Sequence, residues 1–265
     1  MLRVERQAKI LQILRDREYI ENSELAKIFG VTLATVRRDL KALDGQGLIV
    51  IDHGGISTKG LFRGDVEPAY ETKVFVKHEV KKAIGVLAVK SICDGDTVIL
   101  DSGTTSLEIA RQMRLAHLKN LTVITCDIMV AKELCPEKNM NVVVLGGILR
   151  KSFYSTYGPY TEYILKQMRA NKVFIGIDAA SIETGITNIV LEEVPIKQLM
   201  IEISDEVIMV ADSSKFDKTA PHRVCAWSAI DKVVTDQCIS QEYQDFFNTQ
   251  KIQIQTVALT ENSSQ

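Results

Sequence analysis

The 265-residue sequence lacks the marks of several protein classes. No apolar run approaches the ~18 residues of a membrane span, and the N-terminal stretch has no uninterrupted apolar core of a signal peptide. We therefore expect a cytoplasmic protein without a membrane partner. The five cysteines are far apart, with no CxxC pair, and the four histidines are scattered. These spacings favour buried free thiols over a disulfide framework or a metal site.

The sequence also lacks a strong charge of one sign. Its net charge is −2, and residues 1–57 contain nine Lys or Arg against eight Asp or Glu. Any affinity for nucleic acid must therefore come from the local placement of basic side chains. The length suits one large or two ordinary domains.

The first 57 residues have the pattern of a helix-turn-helix. Apolar residues at helical spacing predict a first helix from Val4 to about Arg15. The stretch "ENSELAKIFG" offers Asn22 or Ser23 as the N-cap of a second helix and Gly30 as its C-cap. Thr32 is a natural N-cap for a third helix, and the following "LIVIDHGG" is typical of a small β-wing.

The third helix has the composition of a recognition helix. Projection at 100° per residue places Val36, Leu40 and Leu43 inward, and we expect Asp39 to offset the arginines or cap a neighbouring group. A helix face with small side chains at its N-terminal end and basic side chains further along suits the major groove of DNA. The alternative is a solvated helix in a small helical subdomain. The predicted DNA contacts in this helix are Thr32, Ala34, Thr35, Arg37, Arg38 and Lys41.

A change in composition predicts two domains. The stretch "GISTKGLFRGDVEPAY" has no helical or strand periodicity. We predict a winged helix-turn-helix domain at 1–57, a linker at 58–66 and a second domain at 67–260. After a helix at roughly 74–92, β-branched runs alternate with helical segments, which indicates an α/β fold with a mostly parallel, Rossmann-like sheet.

Polar residues follow several of the predicted strands. Ligands of open α/β sheets bind outside the carboxyl ends of the strands, and "DSGTT" (101–105) could bring backbone N–H groups to a phosphate at a helix N-terminus. A tight turn with N-caps explains the stretch equally well. It is neither a P-loop nor a dinucleotide motif. The candidate sugar or phosphate ligands are Asp101, Ser102, Gly103, Thr104, Thr105, Asp178 and Asp212, with the cations Lys73, Lys81, Arg150, Lys197 and Lys215.

Both halves resemble the DeoR family of bacterial transcription regulators. The N-terminal resemblance rests on "VRRDL", Leu43, Gly47 and the closing His53-Gly54-Gly55, and it implies a DNA contact by His53. The C-terminal resemblance rests on "DSGTT", "GGILR", "FIGID", Glu193 with Lys197, and "DSSKF", and it adds Gly147 and Glu193 to the effector candidates. Three stretches depart from the family: Val50-Ile51-Asp52 where an arginine is usual, Thr125-Cys126-Asp127 where Thr-Asn is common, and "GIDAAS" (176–181) where a more glycine-rich form is common.

The resemblance implies a homo-oligomeric repressor of a carbohydrate operon. Its partners would be operator DNA and a phosphorylated sugar or sugar alcohol, with no other cofactor and no catalysis. The domain at 67–260 would be its phosphosugar-sensing effector and oligomerisation domain, related to ribose-phosphate isomerases and CoA transferases. One alternative is a phosphosugar isomerase or transferase with an accessory DNA-binding domain and a base such as Glu193, Asp178 or Asp212. Another is a redox or metal sensor that acts through cysteine.

Overall fold

The computed structural model describes residues 1–17, 19–46, 48–52, 54–57 and 69–258, with only the backbone of residues 15 and 16. The chain divides into two compact units, Met1–His78 and Glu79–Gln265. The predicted linker at 58–66 lies outside the described residues, as do Gly47 and His53. The two units are described separately below.

The first unit combines helices with a three-stranded antiparallel sheet of order β1-β3-β2. Its core joins Ile10 and Leu14 of the first helix to Val36, Leu40 and Leu43 of the third, as the helical periodicity predicts. The elements are α1 (Arg3–Asp16), β1 (Tyr19–Glu21), α2 (Asn22–Phe29), α3 (Leu33–Asp44), β2 (Val50–Asp52), β3 (Gly55–Ser57) and α4 (Tyr70–Phe75).

The second unit is built on a seven-stranded parallel sheet of order β15-β14-β12-β9-β4-β5-β6. Its helices are α5 (His78–Val89), α6 (Thr104–Leu115), α7 (Ile128–Leu134), α8 (Pro159–Leu165), α9 (Val194–Glu202) and α10 (Gln241–Gln250). The sheet strands are β4 (Thr97–Leu100), β5 (Leu121–Thr125), β6 (Met140–Val144), β9 (Ala170–Ile175), β12 (Ser204–Val210), β14 (Lys232–Asp236) and β15 (Gln253–Val257).

Two smaller antiparallel groups accompany the parallel sheet. Strands β7 (Ile148–Arg150) and β8 (Ser155–Tyr157) form a hairpin. Strands β10 (Ala179–Ser181), β11 (Gly185–Asn188) and β13 (His222–Cys225) form a three-stranded sheet. The main core is apolar on both faces of the parallel sheet, which is why its strands read as continuous β-branched runs.

Three local expectations are wrong. The predicted helix at 74–92 is two helices, α4 and α5, because Val76 is extended and Lys77 has a left-handed φ of 52°. Helix α2 begins at Asn22 with Glu21 as N-cap, since the chain enters it directly from β1. The cysteines are free, but three of them are exposed rather than buried: Cys93, Cys135 and Cys238.

No helix in the described part of the chain combines the length and the apolar character that a membrane crossing requires.

Candidate DNA interface and effector site

Local capping fixes the turn before helix α3. Gly30 ends α2 in the left-handed conformation, with a φ of 62°. Thr32 then caps α3, because its Oγ1 accepts a hydrogen bond from the backbone N–H of Thr35 at 3.3 Å. Both caps agree with the sequence prediction. They place a three-residue turn, Gly30 to Thr32, between α2 and α3, the arrangement of a helix-turn-helix.

A buried ion pair orients α3 against α1. Asp39 is 1% exposed, and its Oδ2 accepts a hydrogen bond from Nε of Arg6 at 2.5 Å. Arg3 lies 3.5 Å from the other carboxylate oxygen. Asp39 therefore fixes the helix rather than offsetting the arginines of its outer face. This pairing could not be predicted from the sequence, because Arg6 and Asp39 are 33 residues apart.

The outer face of α3 is open and basic. Arg37, Arg38 and Lys41 are exposed. Within the described residues, no acidic side chain lies at ion-pair distance from these three cations. Ala34 is exposed among them, and Leu33, which the sequence analysis did not select, is 44% exposed at the start of the helix. The face can meet phosphates with its cations and base edges with its small and apolar end.

The predicted wing is present as β2 and β3. Val50, Ile51 and Asp52 of β2 are all exposed, whereas β3 is buried between β1 and β2. Gly55 is needed here because a Cβ would lie 2.5 Å from the carbonyl oxygen of Ile20. The described wing thus presents apolar side chains and one carboxylate where an arginine would favour phosphate contact.

In the second unit, the loop after β4 is tied to the loop after β9. The Asp101 carboxylate accepts hydrogen bonds from the N–H groups of Ser102 at 2.8 Å and Gly176 at 3.0 Å. It also pairs with Nζ of Lys197, which donates a further hydrogen bond to the carbonyl oxygen of Gly176 at 2.9 Å. Asp101 and Lys197 are thus satisfied by protein groups, which makes them supports of the loop.

Electrostatics keep Lys197 charged although it is buried. Burial alone lowers the pKa of this ammonium, but the charges of Asp101, Glu193 and Asp178 raise it above its usual value. Lys197 therefore carries its proton at any physiological pH. The three carboxylates were predicted from separate stretches of sequence, and the charges of all three act on the Lys197 ammonium.

A second ion pair joins the β7–β8 hairpin to the segment before α9. Arg150 Nη1 lies 2.9 Å from Glu193 Oε1, and both side chains are mostly buried. Ser155 and Asn188 also donate to the Glu193 carboxylate, at 3.3 and 3.2 Å. The Arg150 guanidinium packs 3.7 Å from the centre of the Phe153 ring. Side chains from three strands, β7, β8 and β11, thus hold one carboxylate in place.

The N-terminus of α6 follows directly on Asp101. Gly103 has a φ of 129°, and a Cβ built on it would meet nothing within 4 Å, so its backbone borders open space. Its N–H donates to Asp127 Oδ2 at 2.9 Å. The first-turn N–H groups of α6, from Thr104 to Ser106, have no acceptor within the helix. Ser106, which the sequence analysis did not select, has a buried hydroxyl without a partner among the described residues.

Asp127 links two loops of the site, and the sequence analysis did not select it. Its Oδ1 caps α7 by accepting from the N–H groups of Met129 and Val130, while its Oδ2 binds Gly103. Burial raises the pKa of this carboxyl to about 6, against the lowering effect of the three backbone hydrogen bonds. An aspartate directly before a helix is an N-cap signal that would have identified it.

Cys126 lies beside the same carboxylates. Its thiol pKa is raised well above the usual value by burial and by the charges of Asp101, Asp127 and Glu193. The thiol is therefore protonated, which is the opposite of what a redox-sensing cysteine needs.

The remaining candidate effector residues, Asp178, Asp212, Lys215, Lys81 and Lys73, differ in burial and in position along the chain. Asp178 accepts a hydrogen bond from the N–H of Ile189 at 2.9 Å. Asp212 is buried and caps the short 3-10 turn that contains Lys215, two strands away from β4. Lys81 is buried in α5, whereas Lys73 belongs to α4 in the first unit.

Ser102 lies in the turn before α6, and Thr104 and Thr105 are the first two residues of that helix. Ser102 and Thr105 are half-buried, and Thr104 is buried. Gly147 has a packing role, since a Cβ there would lie 2.6 Å from the carbonyl oxygen of Tyr157.

Comparisons with known proteins identify both units. Residues 6–59 match the model of the DeoR-like helix-turn-helix domain, and residues 76–237 match that of the DeoR C terminal sensor domain. A protein of Escherichia coli O157:H7, provisionally named as the aga operon transcriptional repressor, is 34% identical over 89% of this chain and 87% of its own. The transcriptional repressor AccR of Agrobacterium fabrum is 33% identical over 88% of this chain and 89% of its own.

A solved structure is also similar at a distance. Ribose 5-phosphate isomerase from Plasmodium falciparum has a TM-score of 0.39 and 15% identity, covering 53% of each chain. We draw nothing about ligand or reaction from so remote a likeness. The two domain matches, in the same order along the chain, show that this protein belongs to the DeoR family of DNA-binding transcriptional regulators.

Proposed function

We propose that the protein represses a carbohydrate-utilisation operon and leaves its operator when a phosphorylated sugar or sugar alcohol binds the second unit. The observation that carries this proposal is the charged network at the carboxyl ends of the strands. Asp101, Arg150 and the segment that carries Glu193 and Lys197 lie far apart in the sequence and meet through two ion pairs. Open α/β sheets bind ligands at that edge.

On the DNA side, α3 would enter the major groove. Arg37, Arg38 and Lys41 would contact phosphates or guanine edges, and Ala34 leaves room for close approach. The exposed Leu33 would lie against a thymine methyl group. Asp39 would act indirectly, because its buried pair with Arg6 holds the angle at which α3 is presented.

On the effector side, the division of charge suggests how a phosphosugar would bind. The network has three carboxylates, Asp101, Asp178 and Glu193, against two cations, Arg150 and Lys197. Asp101 is committed to its loop, whereas the half-buried carboxylates of Asp178 and Glu193 would suit sugar hydroxyls. The phosphate would take its positive partners from Arg150 and from the first-turn N–H groups of α6.

The Arg150–Glu193 pair would respond to the effector. A phosphate can engage a guanidinium through two parallel hydrogen bonds and so compete with the Glu193 carboxylate. Glu193 would then be released to accept from a sugar hydroxyl. The effector would favour the DNA-free state only by binding it more tightly than the DNA-bound state.

We also propose that the protein is a cytoplasmic homo-oligomer without catalytic activity or a cofactor. The similar proteins above are named as transcriptional repressors, which supports a regulatory rather than an enzymatic role.

The proposal is tested by fluorescence anisotropy with labelled DNA from the gene's own upstream region. We expect one sugar phosphate of a panel to release the DNA, and the same sugar without phosphate to have no effect. Arg150→Ala should hold the DNA normally but need far more effector for release, whereas Arg169→Ala, at an exposed arginine of the same unit, should behave as wild type. Tight DNA binding that no member of the panel weakens would refute the effector assignment and leave DNA binding standing.

A further inference from the structure

Exposed apolar side chains concentrate in one stretch of the second unit. Among the described residues of this unit, nine large apolar side chains are exposed, and five of them lie within the twenty residues from 144 to 163. The five are Val144 (48%), Ile148 (51%), Leu149 (46%), Tyr160 (74%) and Tyr163 (69%). Scattered exposed apolar residues are ordinary, but a concentration of this kind marks an interaction surface.

These residues belong to elements that pack against one another, and we name them the 144–163 surface. Val144 ends β6, the last strand at one side of the sheet. The β7–β8 hairpin carries Ile148 and Leu149, and a Cβ on Gly158 would lie 3.3 Å from Ile148 Cδ1. Helix α8 is joined to the end of β6 by a hydrogen bond from Thr161 Oγ1 to the carbonyl oxygen of Gly146 at 2.8 Å.

The charge of this surface indicates which partner it fits. Only Arg150, Lys151 and Glu162 are charged among these twenty residues, and Arg150 is mostly buried in its pair with Glu193. A nearly uncharged surface offers nothing to a DNA backbone. It also lacks the charge pattern that would steer a strongly charged protein partner. An apolar surface with aromatic residues and few charges is typical of the core of an interface between identical subunits.

The area is consistent with a stable dimer. With ordinary areas for tyrosine and aliphatic side chains, burial of these five at their observed exposure would remove roughly 400–500 Å² per copy. That is about half of the ~800 Å² that one partner contributes to a stable interface. The exposed backbone and side chains of Gly146, Gly147 and Pro159 lie in the same stretch and would add to it.

We propose that the 144–163 surface binds the same surface of a second copy of this chain across a two-fold axis. In an isologous contact the same patch of two copies meets, so each copy covers the apolar patch of the other. The inference rests on the proposed function only in that two operator half-sites require two recognition helices. The interface shares a hairpin with Arg150, so it adjoins the candidate effector residues.

The test is sedimentation velocity and equilibrium of the full chain without DNA or any sugar phosphate. We expect the wild type to sediment as a dimer or a larger assembly. Tyr160→Asp should halve the assembled mass or weaken association by roughly 30-fold or more, as expected for an interface hot spot. Ile148→Asp is a second variant with the same expectation.

Leu115→Asp is the matched control, since Leu115 is 69% exposed on α6 outside the surface. It should leave the mass unchanged, and far-UV circular dichroism of all variants should match wild type. A wild type that stays monomeric at the highest concentration tested would overturn the proposal. So would an unchanged mass in folded Tyr160→Asp and Ile148→Asp. Because no DNA or effector is present, these outcomes do not depend on operator binding or release.

Discussion

Replacement of Lys197 by methionine should strongly destabilise the second unit. The side chains of Lys197 and Asp101 are 4% and 1% exposed, and methionine would keep most of the lysine volume while removing its charge. Asp101 would then be a buried carboxylate with only two backbone N–H partners. Loss of one partner of a buried pair costs about 3–5 kcal/mol, because the other charge is left uncompensated.

The unfolding of this unit can be followed by itself. Trp227 is the only tryptophan of the chain and is buried in the aromatic cluster of the second unit, beside Tyr243 and Phe247. Its fluorescence in a urea titration therefore reports this unit. With a slope of about 2–3 kcal/mol per molar, the midpoint of Lys197→Met should fall by about 1–2 M urea.

Two further variants make the reasoning falsifiable. Lys172→Met removes a lysine that pairs with Asp96 at 2.8 Å, with side chains 16% and 13% exposed against 4% and 1% for Lys197 and Asp101, so it should cost clearly less than Lys197→Met. The double variant Lys197→Met/Asp101→Asn should recover at least about 1 kcal/mol relative to Lys197→Met alone. The reasoning is refuted if Lys197→Met costs no more than Lys172→Met, or if the double variant loses the sum of the two single effects.

Three other predictions concern DNA and pH. Arg38→Ala should weaken operator binding by about 1–3 kcal/mol. If Arg38 contacts a phosphate, the slope of log K against log salt concentration should also become about 0.9 less steep. Lys138→Ala, at an exposed lysine of the second unit, should change neither quantity. If Leu33 lies against a thymine methyl group, replacing that thymine by uracil should weaken operator binding by the wild type about fourfold. The same replacement should not change operator binding by Leu33→Ala. Equal losses of affinity in both proteins would exclude the contact. The pKa of Asp127, raised to about 6 by burial, means that the native state binds the proton more tightly than the unfolded state. The urea stability should therefore fall by up to ~3 kcal/mol between about pH 4 and pH 6 and stay level above, and Asp127→Asn should remove that fall.

The local elements of this protein could be predicted from its sequence because their signals are short-range. Thr32 and Gly30 act as caps within a few residues, and the inward stripe of α3 follows from helical periodicity. The β-branched runs predicted a parallel sheet, since strands buried on both faces are apolar throughout. The polar residues at the strand ends then indicated the edge of the sheet to inspect.

The tertiary structure decided how these residues pair and therefore what each of them does. Lys197 meets Asp101 across 96 residues, Arg150 meets Glu193 across 43, and Arg6 meets Asp39 across 33. No periodicity carries such information, because the partners are set by the order of strands and by loops that cross between them. The sequence alone determined the fold class and the basic face of α3. The three-dimensional arrangement paired Asp101 with Lys197, Asp39 with Arg6 and Arg150 with Glu193, because the cost of burying a charge forces each one to find a partner.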